Sequence, residues 1–270
     1  MTETVKVGIA GLGAIGRAVA RKLHQGAIPK MELVGVAVRD TAKAQGFLKE
    51  IGCKAPILSI AQLAATSDIV IECAPAAVLA EIAAPVLAAG KKMMVLSAGM
   101  LLRHPELLAA AKEHGGQIIV PTGALLGFDA VSAAAEGDIR SVTMITRKPV
   151  TGLMGAPYLV KNNIAIDGIT EAKRVFQGSA REAALGFPEN VNVAAALSLA
   201  GIGPDRTTIE IWADPNVQRN MHRVVVEADS ARFEMAIENV PSENPKTGRI
   251  TALSALAALR KMTAPLRVGT

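Results

Sequence analysis

Cysteine, histidine and aromatic residues are all scarce in this chain of 270 residues. Its two cysteines, Cys53 and Cys73, cannot build a disulfide framework, which excludes the stapled small-domain class and points to a reducing compartment, the cytoplasm. Aromatics make up 3% of the residues, so a base-stacking surface has little to be built from. Basic residues exceed acidic ones, 29 to 24, but they are scattered; no nucleic-acid partner is expected. Apolar runs are short as well. The longest, "AAVLAEIAAPVLAAG" at 76–90, falls below bilayer length and carries Glu81 and Pro85, and the start "MTETVKVGIAG" lacks the charged-then-apolar pattern of a secretory leader. No membrane partner is expected. No His/Cys/carboxylate cluster sits at ligand spacing, so no metal is expected.

What remains abundant is small and aliphatic. Half of the residues are apolar, and with few aromatics Ala, Val, Leu and Ile must do the packing, which suits helices layered on a buried parallel sheet. The formal charge of +5 favours anionic small molecules without singling one out.

Up to about residue 121, apolar strand-like runs ("TVKVGIAG", "MELVGVAV", "SDIVIECAP", "KKMMVLSAG", "GQIIVPTG") alternate with segments of helical period. This predicts an α/β, doubly wound parallel sheet of Rossmann type over 1–121. From about Thr122 the strand-like runs alternate apolar with polar: "IRSVTMITRKP", "TTIEIWADP", "HRVVVEADS", "ARFEMAIENV". Alternation means one buried face, and a second α+β domain with a mainly antiparallel sheet is expected over 122–245, with helices near Gly127–Glu136, Gly178–Leu185 and Asn190–Ala200. "NPKTGRITALSALAALRKM" reads as a turn and an amphipathic helix capped by Thr247 or Thr251. The segment 246–270 is expected to pack back on the first domain.

Between the first strand and first helix stands "GLGAIG". Gly11 permits a tight turn, Gly13 lets the backbone approach a pyrophosphate, and Gly16 lets helix and strand pack closely. The helix start, Ala14, Ile15 and Gly16, offers free N–H groups and the positive end of the dipole to the phosphates. An acid that would accept from the adenosine ribose is expected at the end of the second strand, where Val38 stands, followed by Arg39 and Asp40. Arg39 can stack on adenine or pair with a 2′-phosphate, and Asp40 can reach the ribose, so NAD and NADP both remain open. Ala74 and Pro75, in "ECAPAAVL", lie at a strand's C-terminal edge where the nicotinamide half can pass. Cys73 beside them reads as a small buried hydrophobe, since no histidine is near and apolar surroundings raise a thiol pKa.

Of four histidines, only His222 lies in the second domain, just after a turn and at the start of an alternating strand, a position suited to acid–base work. Asn190 and Asn192 open an apolar helix; one is expected to cap it and the other to bond a carboxamide or carboxylate. Gly123 and Ala124 mark the crossing into the second domain, where bare backbone can line a nicotinamide. Arg147 and Lys148 are read as lying in a loop, and Lys246 and Thr247 at a helix start. These are the candidates for holding substrate carboxylates.

Taken together, "GIAGLGAIG", "PTGALLGFDA", "TRKPVTGLMGAP", "FQGSAREAALGFPENVNVAAALSLAGIGPDRT", "ADPNVQRNMH" and "NPKTG" resemble, in order and over nearly the whole chain, segments of the L-aspartate dehydrogenase family. The resemblance implies an NAD- or NADP-dependent oxidoreductase acting on the CH–NH2 group of L-aspartate. Its products would be iminoaspartate and then oxaloacetate and ammonia, reversibly, and the imine can feed pyridine nucleotide biosynthesis. It also implies a homodimer, a catalytic His222, and cofactor contacts at Ala124 and Asn192. Two rival readings stand beside it. A dihydrodipicolinate-reductase-like imine reductase would share the architecture, but that family carries paired histidines and no "HH" occurs here. A non-enzymatic NAD(P)-binding sensor would have no need of a lone histidine among polar groups.

Overall fold

The computed structural model describes residues 4–188, 191–242 and 248–269. The chain divides into two units, one holding the residues to Pro121 together with Ala252–Arg267, the other Thr122–Thr251 and the residues from Val268.

In the first unit the order is β1 (Val5–Ala10), α1 (Ala14–His24), β2 (Met31–Ala37), α2 (Thr41–Glu50), α3 (Ile60–Thr66), β3 (Ile69–Glu72), α4 (Leu79–Ala88), β4 (Lys92–Val95), α5 (Ala98–Leu101), α6 (Pro105–His114) and β5 (Gln117–Ile119). The strands form one parallel sheet in the order β2-β1-β3-β4-β5. Both faces are covered. Along β1, Val7 and Ile9 join a cluster with Val19, Phe47, Ile69 and Ile71, whereas Ala10 joins Leu63, Val70, Leu79 and Met93. A strand buried on two sides has no position for a polar residue, so these strands read as unbroken apolar runs. The run "APILSI", by contrast, contributes only an isolated bridge, Val36 to Ile57, before Ser59 and Gln62 cap α3 reciprocally.

The second unit contains α7 (Phe128–Ala134), β6 (Ile139–Lys148), α8 (Pro157–Lys161), β7 (Lys173–Ser179), α9 (Ala180–Gly186), α10 (Asn192–Ala200), β8 (Thr207–Ala213), β9 (Asn220–Ala228) and β10 (Arg232–Asn239). Its sheet runs β10-β9-β6-β8-β7 and is antiparallel except at its centre, where β6 and β8 pair in parallel. The sheet is therefore mixed. One strand, β7, carries no clear signal: Lys173 and Arg174 open it on exposed positions, and Ser179 ends it while starting the capping box of α9 with Glu182.

Helix α11 (Ile250–Thr263) follows. Thr251 sits inside this helix rather than capping it, and Thr247 lies outside the described residues. Ala255 and Leu259 are buried in the cluster that contains Val7 and Ile9. Arg260 donates to the Ala27 carbonyl at 2.6 Å and the Thr263 hydroxyl to the Pro29 carbonyl at 3.1 Å. Among the described residues, no helix is long and apolar enough to cross a membrane, and no group of three or more His, Cys, Asp or Glu is placed to hold a metal ion.

Candidate active site

The β1–α1 turn is shaped by its three glycines, each for a different reason. Gly11 has φ +98°, and a Cβ there would meet the Cys73 carbonyl carbon and oxygen at 2.6 Å. At Gly16 a Cβ would run into the Gly11 carbonyl oxygen and approach the Cys73 Cβ at 3.2 Å, so α1 packs on β1 and β3 only without a side chain. Gly13 is exposed, and its virtual Cβ has nothing nearer than the Cys73 carbonyl oxygen at 3.9 Å. Two glycines thus let the turn close and the third leaves an open approach to its backbone. Gly13 is also the N-cap of α1, and among the described residues no side chain caps the first-turn N–H groups at Ala14, Ile15 and Gly16. This cradle fits a pyrophosphate. We expect Gly16→Ala to cost about 1–3 kcal/mol through overpacking and to weaken dinucleotide binding, both measurable by thermal unfolding and fluorescence titration.

Past β2, Arg39 and Asp40 are exposed and Val38 is half-buried. Asp40 caps α2, its Oδ1 accepting from the Lys43 N–H at 3.0 Å, which leaves Oδ2 for a ribose hydroxyl. Past β3, Ala74 is half-buried and Pro75 exposed. Beneath them is a group with no sequence signal of its own: Glu72, 1% exposed. Its Oε2 accepts from the Leu96 and Ser97 N–H groups at 3.1 and 2.9 Å, and its Oε1 from the Ser97 hydroxyl at 3.1 Å, tying the ends of β3 and β4 together. Burial raises its pKa, and burial together with the Glu72 charge pushes the Cys73 thiol well up, which disfavours the thiolate there.

In the second unit the register of β6 and β9 builds a polar cluster within an apolar face. Val142, Met144, Thr146 and Lys148 alternate onto the buried side of β6; His222, Val224 and Val226 do so on β9. Thr146 lies directly opposite His222, and the threonine Oγ1 and histidine Nδ1 are hydrogen-bonded at 3.0 Å. Lys148 is two residues further along the same face and 5% exposed. It makes no hydrogen bond or ion pair through its amine among the described residues. Burial lowers its pKa to about 8. Burial and, after it, the positive charge of Lys148 bring His222 down to about 3. At neutral pH the imidazole is therefore uncharged, and a buried amine stands near it with no carboxylate among the described residues to balance it. Such a place is suited to an anion carrying a group that exchanges protons.

Other expectations fare differently. Arg147 and Lys148 do not lie in a loop; they end β6, and strand alternation sends them to opposite faces. Arg147 is held by Asp214 at 3.1 Å and lies over the Trp212 ring at 5.2 Å, away from the face that carries His222. Asn192 is the first residue of α10, and Val191 holds the cap position, so Asn192 is not the cap. Asn190, Lys246 and Thr247 lie outside the described residues. The Ala124 carbonyl accepts from the Asn239 Nδ2 at 2.9 Å, which holds the backbone at this crossing; Asn239 and Thr146 had no signal in the linear sequence because both act through pairings across strands or loops.

Residues 129–262 match the profile described as "Aspartate dehydrogenase, C-terminal", and residues 11–121 match "Homoserine dehydrogenase, NAD binding domain". The chain is 57% identical to the L-aspartate dehydrogenase of Bradyrhizobium diazoefficiens, over 100% of this chain and 95% of that protein. It is 56% identical to L-aspartate dehydrogenase 3 of Bordetella bronchiseptica, over 99% and 98%. Among solved structures, aspartate dehydrogenase from Thermotoga maritima shares the fold with a TM-score of 0.73 at 22% identity, over 98% of this chain and 99% of that one. With 57% and 56% identity over essentially its full length, the chain belongs to the L-aspartate dehydrogenase family.

Proposed function

We propose that this protein oxidises L-aspartate with NAD or NADP to iminoaspartate, which water converts to oxaloacetate and ammonia, and that it runs the reaction in either direction. The observation that carries the reading is the buried group of Thr146, His222 and Lys148. It sets a neutral imidazole near a cation with no anionic partner among the described residues. A substrate with two carboxylates supplies the missing negative charge, and its arrival favours the charged form of Lys148. Lys148 then anchors a carboxylate, and His222 handles protons, accepting one from the water that attacks the imine and passing it to the departing amine.

The first unit is the dinucleotide domain in this reading, with Gly11, Gly13, Ala14, Ile15 and Gly16 holding the pyrophosphate and Ala74 and Pro75 flanking its path. Arg39 and the free oxygen of Asp40 serve the adenosine end, where the missing acid at Val38 leaves room for either cofactor. The second unit carries substrate and catalytic groups, and the cofactor roles of Ala124 and Asn192 rest on the family resemblance. When bound, the nicotinamide supplies the acceptor for the hydride that leaves the substrate Cα. We place the enzyme in the cytoplasm, on the scarcity of cysteine, as a homodimer whose contact the alternating strands of the second unit supply, with its imine product open to pyridine nucleotide biosynthesis.

Purified protein mixed with oxaloacetate, ammonium and NADH or NADPH is expected to consume the reduced cofactor, seen as falling absorbance, and to do little with other keto acids. Turnover of a cyclic imine instead would establish the imine-reductase reading, and cofactor binding without turnover the sensor reading.

A further inference from the structure

Two hydrogen bonds fix the backbone where the second unit begins. The Leu125 N–H donates to the Thr122 carbonyl at 3.0 Å, closing a β-turn in which Gly123 takes a φ of +62°. The Ala124 carbonyl is held from outside the turn by the Asn239 Nδ2 at 2.9 Å. The Ala124 N–H is left over: it has no partner among the described residues, on a half-buried residue, and a Cβ on the neighbouring Gly123 would meet nothing within 4 Å. Asn239 makes this hold at a cost. It ends β10, two residues beyond Ile237, which pairs with His222, so strand alternation puts it on the face that carries His222. It is 3% exposed. A carbonyl only accepts, so the amide turns its NH2 toward Ala124, and its Oδ1 stays buried with no partner among the described residues. Gly248 closes over that oxygen, since a Cβ there would stand 2.8 Å from Oδ1 and 3.2 Å from Cγ. A buried acceptor without a donor costs more than one hydrogen bond to a half-buried residue returns. For stability alone, a leucine of the same branched shape would serve at least as well.

We propose that Asn239 is a positioning residue for the cofactor: it fixes the Thr122–Leu125 turn so that the Ala124 N–H donates to the carboxamide oxygen of the nicotinamide. The chain leaves the carboxyl end of β5 at Ile119 and reaches Ala124 five residues later, and a parallel sheet of this kind holds its ligand outside the carboxyl ends of its strands. This rests on the reading of the chain as an NAD(P) enzyme and adds to it a residue from the last strand of the second sheet. An anchored carboxamide fixes the rotation of the nicotinamide ring, and with it the face that receives the hydride.

The test compares NADH with ADP-ribose, which lacks only the nicotinamide. By calorimetry, Asn239→Leu is expected to raise the Kd for NADH about fivefold to tenfold and to leave that for ADP-ribose within about twofold, with a melting temperature no lower than that of the wild type. An unchanged Kd for NADH overturns the proposal. So does equal weakening of both ligands, or a loss of stability, either of which would make Asn239 a strut of the fold. Amide exchange reads the same contact in the wild type, with no variant to fold. The Ala124 N–H is expected to exchange about tenfold more slowly with NADH bound than with ADP-ribose bound, and equal rates overturn the proposal. Neither measurement needs turnover. The NADH contrast in a protein without aspartate activity would therefore sink the proposed function alone, and an active enzyme without the contrast would sink this inference alone.

Discussion

Replacing His222 by alanine is expected to lower turnover by about 10²–10⁴ and to leave dinucleotide affinity within about threefold. The split follows from where the residue sits. His222 is on β9 in the second unit, while the glycine turn and the open N-terminus of α1 belong to the first, so removing the imidazole touches nothing that shapes the pyrophosphate cradle. What disappears is the group to which the proposed mechanism gives the proton transfers. The Lys148 amine remains, and as the proposed anchor of a substrate carboxylate it should keep aspartate KM nearly unchanged, so the loss is expected mainly in kcat. Stopped-flow turnover and a fluorescence titration with NADH and NADPH measure the two halves. Unchanged turnover would remove His222 from the chemistry.

The second large effect is on stability in acid. In the unfolded chain His222 takes up a proton as pH falls through about 6.5, but in the folded protein burial and Lys148 delay that to about 3. Across this window the unfolded state binds the extra proton, so stability falls as pH falls, fully present above the unfolded value and lost toward the folded one. From about pH 7 to about pH 4 this single residue is expected to remove about 3 kcal/mol. Urea unfolding of wild type and of His222→Gln at the two pH values isolates the term: the wild type should lose about 3 kcal/mol more than the variant. Equal losses would mean that His222 is not held neutral by the fold. Lys148 acts in the same direction at the other end, with stability rising between about 8 and 10.5 as the unfolded amine gives up the proton that the folded one has already lost.

Much of this was open to a reader of the amino-acid sequence. Strands such as Ile69–Glu72, buried at every position, can only be central strands of a covered sheet, and the three glycines of the first turn differ in role as their surroundings require. His222 stood out because it opens a strand with a clear two-residue period. What stayed hidden depends on pairing. Alternation tells which side of a strand is buried but not the direction of its neighbour, so the parallel β6–β8 pair inside a mainly antiparallel sheet had no linear trace. Arg147 and Lys148 looked equivalent as neighbours near prolines and glycines, yet being adjacent on a strand is what separates them. Thr146 became legible only through its register with His222. Glu72 ended an apolar run with no hint that the Leu96 and Ser97 amides would claim it.

The burial of Ala255 and Leu259 against Val7 and Ile9 has a consequence for biogenesis. A ribosome releases the whole of the β6-to-β10 sheet before it releases the helix that seals the nucleotide-type sheet, so the earlier half waits with an uncovered apolar flank while the later half is free to form. A fragment ending at Pro121 would carry that flank permanently and would tend to aggregate, whereas supplying residues 250–267 on a linker, or as a separate peptide, should rescue it.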